Sequence, residues 1–488
     1  MHTNWTHLDT RIPEWMAQWK IPAVAAAIVQ HGEVVYAAGF GCHQIDRPGP
    51  VDADTLFAIG SNTKAFTATA VGLLVQEGKL AWDDPVTKYL PAFQLHDPAA
   101  TRLMTIRDLL CHRSGLISYA GDFMSYGTVY SSDEVLERVR HVPPAYPFRG
   151  GYGYSNIMFL AAGKVVEAVS GQTWSAFVHE RLLAPLGMNR TLTGLRDLPG
   201  VDNVAQPHQF TRGQTVKLPF ADLEAIAPAG SMLSSAADMT RWLRFQLAGG
   251  CVNGERLVDA AVLEETRTPH TVVPILPEFK ALIPRRHFSN YGLGWVLNDY
   301  AGRLLVNHSG GVDGMLSQTA FLPEEGLGLV VLTNVSPNRL YPALMYTVLD
   351  HALGLPEHDW GAAMLAQDRR EQARAAEERQ KLDANRLKDS RPSLALEGYT
   401  GTYTNPVYGE MGVRLEQGKL VLHLAGHPHL TGPLEHWHAD TFLCAWSNPS
   451  YEESFVHFQV GMDGKAERLR LKVGDFIDLL PYEFIRVG

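Results

Sequence analysis

Apolar strand-like runs fall into two groups far apart in the chain, with a long helix-rich stretch between them, and this arrangement limits the fold more than any other feature. The first group, "IPAVAAAIVQ" and "EVVYAAGFG", flanks His31-Gly32 and reads as a hairpin around a tight turn that glycine permits. The second starts at Tyr291, where "YGLGWVLN", "RLLVNHSGG", "LSQTAFLP" and "GLGLVVLTN" are short runs separated by turn residues. Between the groups, helical patterns alternate with Gly/Pro-rich loops. Ser61 to Glu77 places Phe66, Ala70, Leu73 and Leu74 on one face, with Gly78 positioned to end the helix. "SNIMFLAAGKVVEAVSG" is stopped by Gly171, and Ser235 with Asp238 suits a capping box that opens another helix. Strands on both sides of a helical stretch imply one α+β domain whose sheet is completed by distant segments.

The stretch from Ala366 to Ser390 is rich in Ala, Glu, Arg and Lys and reads as an exposed helical linker. After it, "YTGTYTNPVYGEMGVRLEQGKLVLHLAG" alternates apolar and polar residues in short runs, the pattern of a small β-barrel or sandwich. The expected division is a first domain at 1–365, the linker at 366–391 and a β domain at 392–488. With 488 residues, 45% of them hydrophobic, the chain can bury a large core, and a net charge of −10 offers no footprint for nucleic acid or an anionic membrane. Cys42, Cys111, Cys251 and Cys444 are widely spaced without a C-x-x-C pair, which points to reduced, buried thiols. "MHTNWTHLDTRIPEWMAQWK" has neither a basic n-region nor an apolar h-region, so the expected location is cytoplasmic, or periplasmic or secreted if a leader precedes it. No apolar run is long enough for membrane insertion.

Ser61 and Lys64 form the one S-x-x-K in the chain. At i and i+3 on a helix the two side chains share a face, with Cβ atoms about 5–6 Å apart, so the amine can reach the hydroxyl. If Ser61 opens the helix, backbone N–H groups at the positive end of the macrodipole can stabilise an oxyanion. Serine is equally a favoured N-cap, and lysine commonly projects into water. Tyr154-Ser155-Asn156 follows a Gly-rich loop and precedes an apolar helix. A tyrosine beside an ammonium can serve as a general base, and the asparagine amide can bond both lysine and a substrate carbonyl; the plainer alternatives are a core aromatic and a helix cap. His308-Ser309-Gly310-Gly311 ends an apolar strand, where glycines allow close approach of a ligand and the Gly311 N–H can pair with that of Ser61. The histidine pairs His427/His429 and His436/His438 each share one strand face, but lack further ligands at metal spacing except Asp440.

In order, Ser61-Asn62-Thr63-Lys64, Tyr154-Ser155-Asn156 and His308-Ser309-Gly310 resemble the three active-site motifs of the penicillin-recognising serine hydrolases. Tyrosine in the second motif is similar to the branch holding class C β-lactamases, D-Ala-D-Ala carboxypeptidases, D-aminopeptidases and β-lactamase-fold esterases. "LLCHRSGLI", "APAGSMLSSAADMTRWL" and "YGLGW" extend the likeness over about residues 8–355. It implies an antiparallel sheet flanked by helices, an all-helical subdomain and a site in the cleft between them. It further implies Ser61 as nucleophile, Lys64 and Tyr154 as proton carriers, Asn156, His308, Ser309, Gly310 and Gly311 as substrate-binding residues, and no metal or other cofactor. Tyr119, Phe123, Tyr126 and Tyr130 would line the cleft. The third motif departs from the family's K-T-G: His308 withdraws the permanent charge that lysine offers a substrate carboxylate, and histidine there is familiar among D-aminopeptidase-like and esterase-like members. The C-terminal region resembles the lipocalin-like barrel appended to such homologues. The expected substrates are small esters, amides or D-residue peptides, with self-association left open. The alternatives are a true β-lactamase or carboxypeptidase, and a binding or sensor module that does not turn over.

Overall fold

The computed structural model describes residues 4–474 and 477–487. The two groups of strands meet in one antiparallel sheet. Its members are β1 (Ala23–Gln30), β2 (Glu33–Gln44), β3 (Arg47–Pro50), β4 (Thr271–Val272), β5 (Ser289–Tyr291), β6 (Val296–Tyr300), β7 (Arg303–Val312), β8 (Met315–Leu322) and β9 (Leu327–Thr333). The order across the sheet is β4-β5-β6-β7-β8-β9-β1-β2-β3. The join between the groups is β1 against β9, from Val24 opposite Thr333 to Gln30 opposite Leu327. The β1–β2 turn is the expected tight one, with His31 at φ 50 and Gly32 at φ 83.

β1 is apolar from Ala23 to Val29 because it is covered on both faces. Ala23, Ala25, Ala27 and Val29 face α4 (Ala236–Leu247), in a core cluster that also includes residues of α2 (Thr63–Gln76) and α3 (Asn156–Ser170). Val24, Ala26 and Ile28 pack toward α1 (Leu8–Trp19) and α5 (Leu340–Ala352). Gly78 at φ 67 and Gly171 at φ 74 end α2 and α3 in the left-handed region, as the sequence predicts. The capping box at α4 is half formed. Ser235 accepts from the Asp238 N–H, but the Asp238 carboxylate instead accepts from the Arg190 and Thr191 N–H groups.

The charged helix α6 (Trp360–Ala384) starts before its expected position because its first turns belong to the core. The Trp360 indole N–H donates to Asp350 at 2.8 Å, while the later turns are exposed. Beyond it, eight strands close a barrel: β10 (Gly401–Asn405), β11 (Gly409–Glu416), β12 (Lys419–Leu424), β13 (His427–His438), β14 (Thr441–Ala445), β15 (Glu453–Val460), β16 (Ala466–Leu471) and β17 (Tyr482–Val487). Leu420, Leu422 and Leu424 point inward. Tyr399, Tyr403, Phe442 and Phe458 fill the interior. Cys111 and Cys444 are buried as expected, but Cys42 and Cys251 are half-exposed at strand positions near the surface. No helix among the described residues is long and apolar enough to cross a membrane.

Candidate active site

Ser61 lies in a single 3-10 turn, Gly60–Asn62, that runs straight into α2 at Thr63. It is not the helix cap: neither Ile59 nor Asn62, the flanking cap positions, makes a side-chain cap bond, and the Ser61 hydroxyl is engaged with Lys64. Here i and i+3 do share a face. Lys64 is fully buried, and its Nζ lies 3.0 Å from Ser61 Oγ, 2.6 Å from Asn156 Oδ1 and 2.8 Å from the Ala229 carbonyl oxygen.

Those contacts fix the orientation of the amine. Two of the partners are carbonyl oxygens, which only accept, while the hydroxyl can donate. A neutral amine has two hydrogens and one lone pair, so with the hydrogens on Asn156 and Ala229 the lone pair faces the serine. Burial pushes the Lys64 ammonium down to about 7, opposed in part by Asp122. The Tyr154 ring packs against the same amine, with Nζ 4.7 Å from its centroid. Its hydroxyl forms no well-aligned hydrogen bond among the described residues; burial holds it well above its ordinary value, and the neighbouring Ser61 only partly offsets this. The general-base role open to Tyr154 from the sequence, which needs a phenolate, is therefore disfavoured.

Asn156 uses both ends of its amide. Its Oδ1 accepts from Lys64 and its Nδ2 donates to Asp122 Oδ2 at 2.6 Å. Ser155, not Asn156, caps α3, accepting from the Met158 N–H. Asp122 was not singled out in the sequence, because no local spacing marks it. It is buried, and burial, with Asp478 adding to it, pushes its carboxyl up to about 8.

The turn holding Ser61 packs on β7 through two glycines. A Cβ at Gly310 would come within 1.9 Å of the Ile59 carbonyl oxygen, and one at Gly60 within 2.8 Å of the Gly311 nitrogen. Gly310→Ala is therefore expected to force the strand off the turn, costing about 1–3 kcal/mol in a thermal or urea melt and lowering kcat as well. A variant as stable and as active as the parent would show that the contact yields freely.

His308 is buried, with Nδ1–H donating to the Ser309 carbonyl oxygen at 2.6 Å and Nε2 accepting from the Tyr291 hydroxyl at 2.8 Å. Burial, reinforced by Lys64, pushes it down to about 3, so the ring is neutral. Ser309 is exposed, and strand alternation turns its side chain to the face opposite His308; contrary to expectation, only its carbonyl joins the cluster.

Residues 8–353 match the Beta-lactamase family profile. The chain belongs to the β-lactamase family. Residues 385–484 match a domain of unknown function, DUF3471. The unguisins hydrolase ungD of Aspergillus violaceofuscus is 27% identical over 85% of this chain and 77% of its own. An octameric penicillin-binding protein homologue from Pyrococcus abyssi superposes with a TM-score of 0.63 at 25% identity, covering 99% of both chains. A D-amino acid amidase from Ochrobactrum anthropi SV3 superposes with a TM-score of 0.57 at 25% identity, over 71% of this chain and 98% of that one.

Within this β-lactamase-family chain, the loop aromatics divide. Tyr119 packs on Tyr154 with ring centroids 5.5 Å apart. Phe123 instead stacks on His427 of the barrel at 4.5 Å, and the Tyr130 hydroxyl donates to the Tyr408 carbonyl oxygen at 3.0 Å. Tyr126 is buried at the same junction and accepts from the Asp313 N–H. These side chains attach the barrel: Phe123 and Tyr130 are covered by it, and Tyr126 stands at the edge of the cleft left between the two parts. The Gly121 N–H, beside Asp122, is likewise capped from the barrel by Asp478 Oδ2 at 2.9 Å. Two further residues of the cluster, His112 and Tyr291, come from distant segments: His112 Nδ1 accepts from the Ser155 N–H, and Tyr291 holds His308.

Proposed function

We propose that the chain is a serine hydrolase that cleaves small esters and amides, D-residue peptides among them, through an acyl-enzyme on Ser61. The observation that carries this reading is the buried Lys64 amine, within hydrogen-bond distance of the half-exposed Ser61 hydroxyl and held there by two carbonyl acceptors. Ser61 Oγ attacks the substrate carbonyl carbon while Lys64 Nζ takes the proton. The Ser61 and Gly311 N–H groups hold the oxyanion, and the close packing of Gly60 on Gly311 supports their pairing. The leaving group collects its proton from Lys64, with the Tyr154 phenol as carrier. Water then attacks the acyl-enzyme with Lys64 again the base. Asn156 orients Lys64 and presents its remaining amide hydrogen toward substrate; His308 and Gly310 shape the strand beside it.

The names of the similar proteins, an unguisins hydrolase and a D-amino acid amidase, support an amide substrate. A neutral His308 weighs against carboxylate recognition, and so against efficient β-lactam or D-Ala-D-Ala cleavage. Intact-mass spectrometry of the wild type and of Ser61→Ala, each with a p-nitrophenyl ester and with a penicillin, tests the reading. The expected result is ester turnover with a Ser61-dependent adduct. Full hydrolysis by Ser61→Ala, or neither adduct nor turnover in the wild type, would sink it.

A further inference from the structure

A cleft of about 1550 Å³ opens between the catalytic part and the barrel, and its wall includes Tyr126, Asp313, His427, Trp446 and Tyr451. Asp313 follows directly on β7 and is 5% exposed. One of its carboxylate oxygens accepts from Asn448 Nδ2 at 3.2 Å, and the Tyr126 and Ser450 hydroxyls also stabilise the carboxylate as hydrogen-bond donors. The other, Oδ1, is buried without a partner among the described residues. His427 presents a second orphan: its Nδ1–H donates to the Gly127 carbonyl oxygen, leaving Nε2 as an acceptor without a partner among the described residues. The cations at the cleft rim are taken, Arg212 and Arg379 by Glu453 and Lys217 by Gln44.

A buried carboxylate oxygen without a well-aligned donor is costly, the neighbouring donors bring no charge and the cations of the wall are already engaged, so the missing partner is a cationic donor. The position relative to Ser61 follows from the strand. At about 3.3 Å per residue, Asp313 lies roughly 7 Å beyond Gly311, the proposed oxyanion donor. Phe220 and Ala221, on the cleft wall, also border a small gap with Val312 and Gly230, and Gly230 backs onto Gly60 beside the nucleophile.

We propose that Asp313 anchors a substrate ammonium carried about one residue beyond the scissile carbonyl, so that the preferred acyl group is a dipeptide-like unit with a free amino end. This rests on the hydrolase reading for the placement of the scissile bond. Burial raises the Asp313 carboxyl to about 6, still ionised at neutral pH, as an ammonium partner requires.

The test uses the full chain carrying Ser61→Ala, so that binding is measured without turnover. Affinities for glycyl-D-alaninamide and for its N-acetyl derivative are measured by calorimetry. The free amine is expected to bind at least about tenfold more tightly, and Asp313→Asn to bring the two within about twofold. Equal affinity for the two ligands, a preference that Asp313→Asn leaves intact, or no binding of the free amine would each overturn the proposal. The first comparison leaves Asp313 in place and so stands whether or not the second variant folds. Turnover of an uncharged p-nitrophenyl ester by the wild type tests the hydrolase reading separately.

Discussion

Ser61→Ala is expected to lower kcat for a p-nitrophenyl ester by on the order of 10⁴-fold or more, with little change in KM and a thermal midpoint within a few degrees of the parent. The asymmetry follows from the surroundings. Ser61 is half-exposed in a short turn and its hydroxyl is bonded to Lys64, so its removal takes away one hydrogen bond and no packing. Lys64 keeps its bonds to Asn156 and Ala229, so the buried amine is not orphaned. Steady-state kinetics beside a melting curve separates the two effects. A comparable loss of stability would mean that the serine serves the fold.

Lys64→Arg is expected to cost about 10³-fold or more in kcat/KM, because a guanidinium keeps its proton and cannot act as base. The sign of the wild-type pH dependence follows from the same group. Burial lowers the Lys64 ammonium to about 7, and the base is the neutral form, so kcat/KM should climb about tenfold per pH unit below 7 and level above it. The arginine variant should show no such plateau. A wild-type profile flat from about pH 5.5 to 8, or an active arginine variant, would remove Lys64 from the proton path.

The parts of this molecule that were legible in its sequence are those set by local geometry. The β1–β2 turn needs positive φ at two adjacent residues, and His31-Gly32 announces it. Ser61 and Lys64 meet because i and i+3 are neighbours on any helical turn, whatever the rest of the fold does. Asp122 reaches Asn156 across 34 positions and Tyr291 reaches His308 across 17, and neither spacing has a period to betray it. Barrel and sandwich were not separable, since both alternate with period two; closure depends on β10 pairing with β17, as in Thr402 opposite Val487. Phe123 and Tyr130 were misplaced for a related reason. An aromatic loop residue looks the same whether it faces a cleft or another part of the chain.

The cap on the Gly121 N–H has a consequence for how the protein is made. Its acceptor, Asp478, lies 357 positions further along, and Tyr482 adds its hydroxyl from further still. A ribosome must therefore add nearly the whole barrel after the catalytic segments have emerged before the backbone beside Asp122 finds its partners. Until then the loop from Phe123 to Tyr130 waits with its aromatic side chains uncovered, the stage at which a nascent chain is most exposed to chaperones and to aggregation.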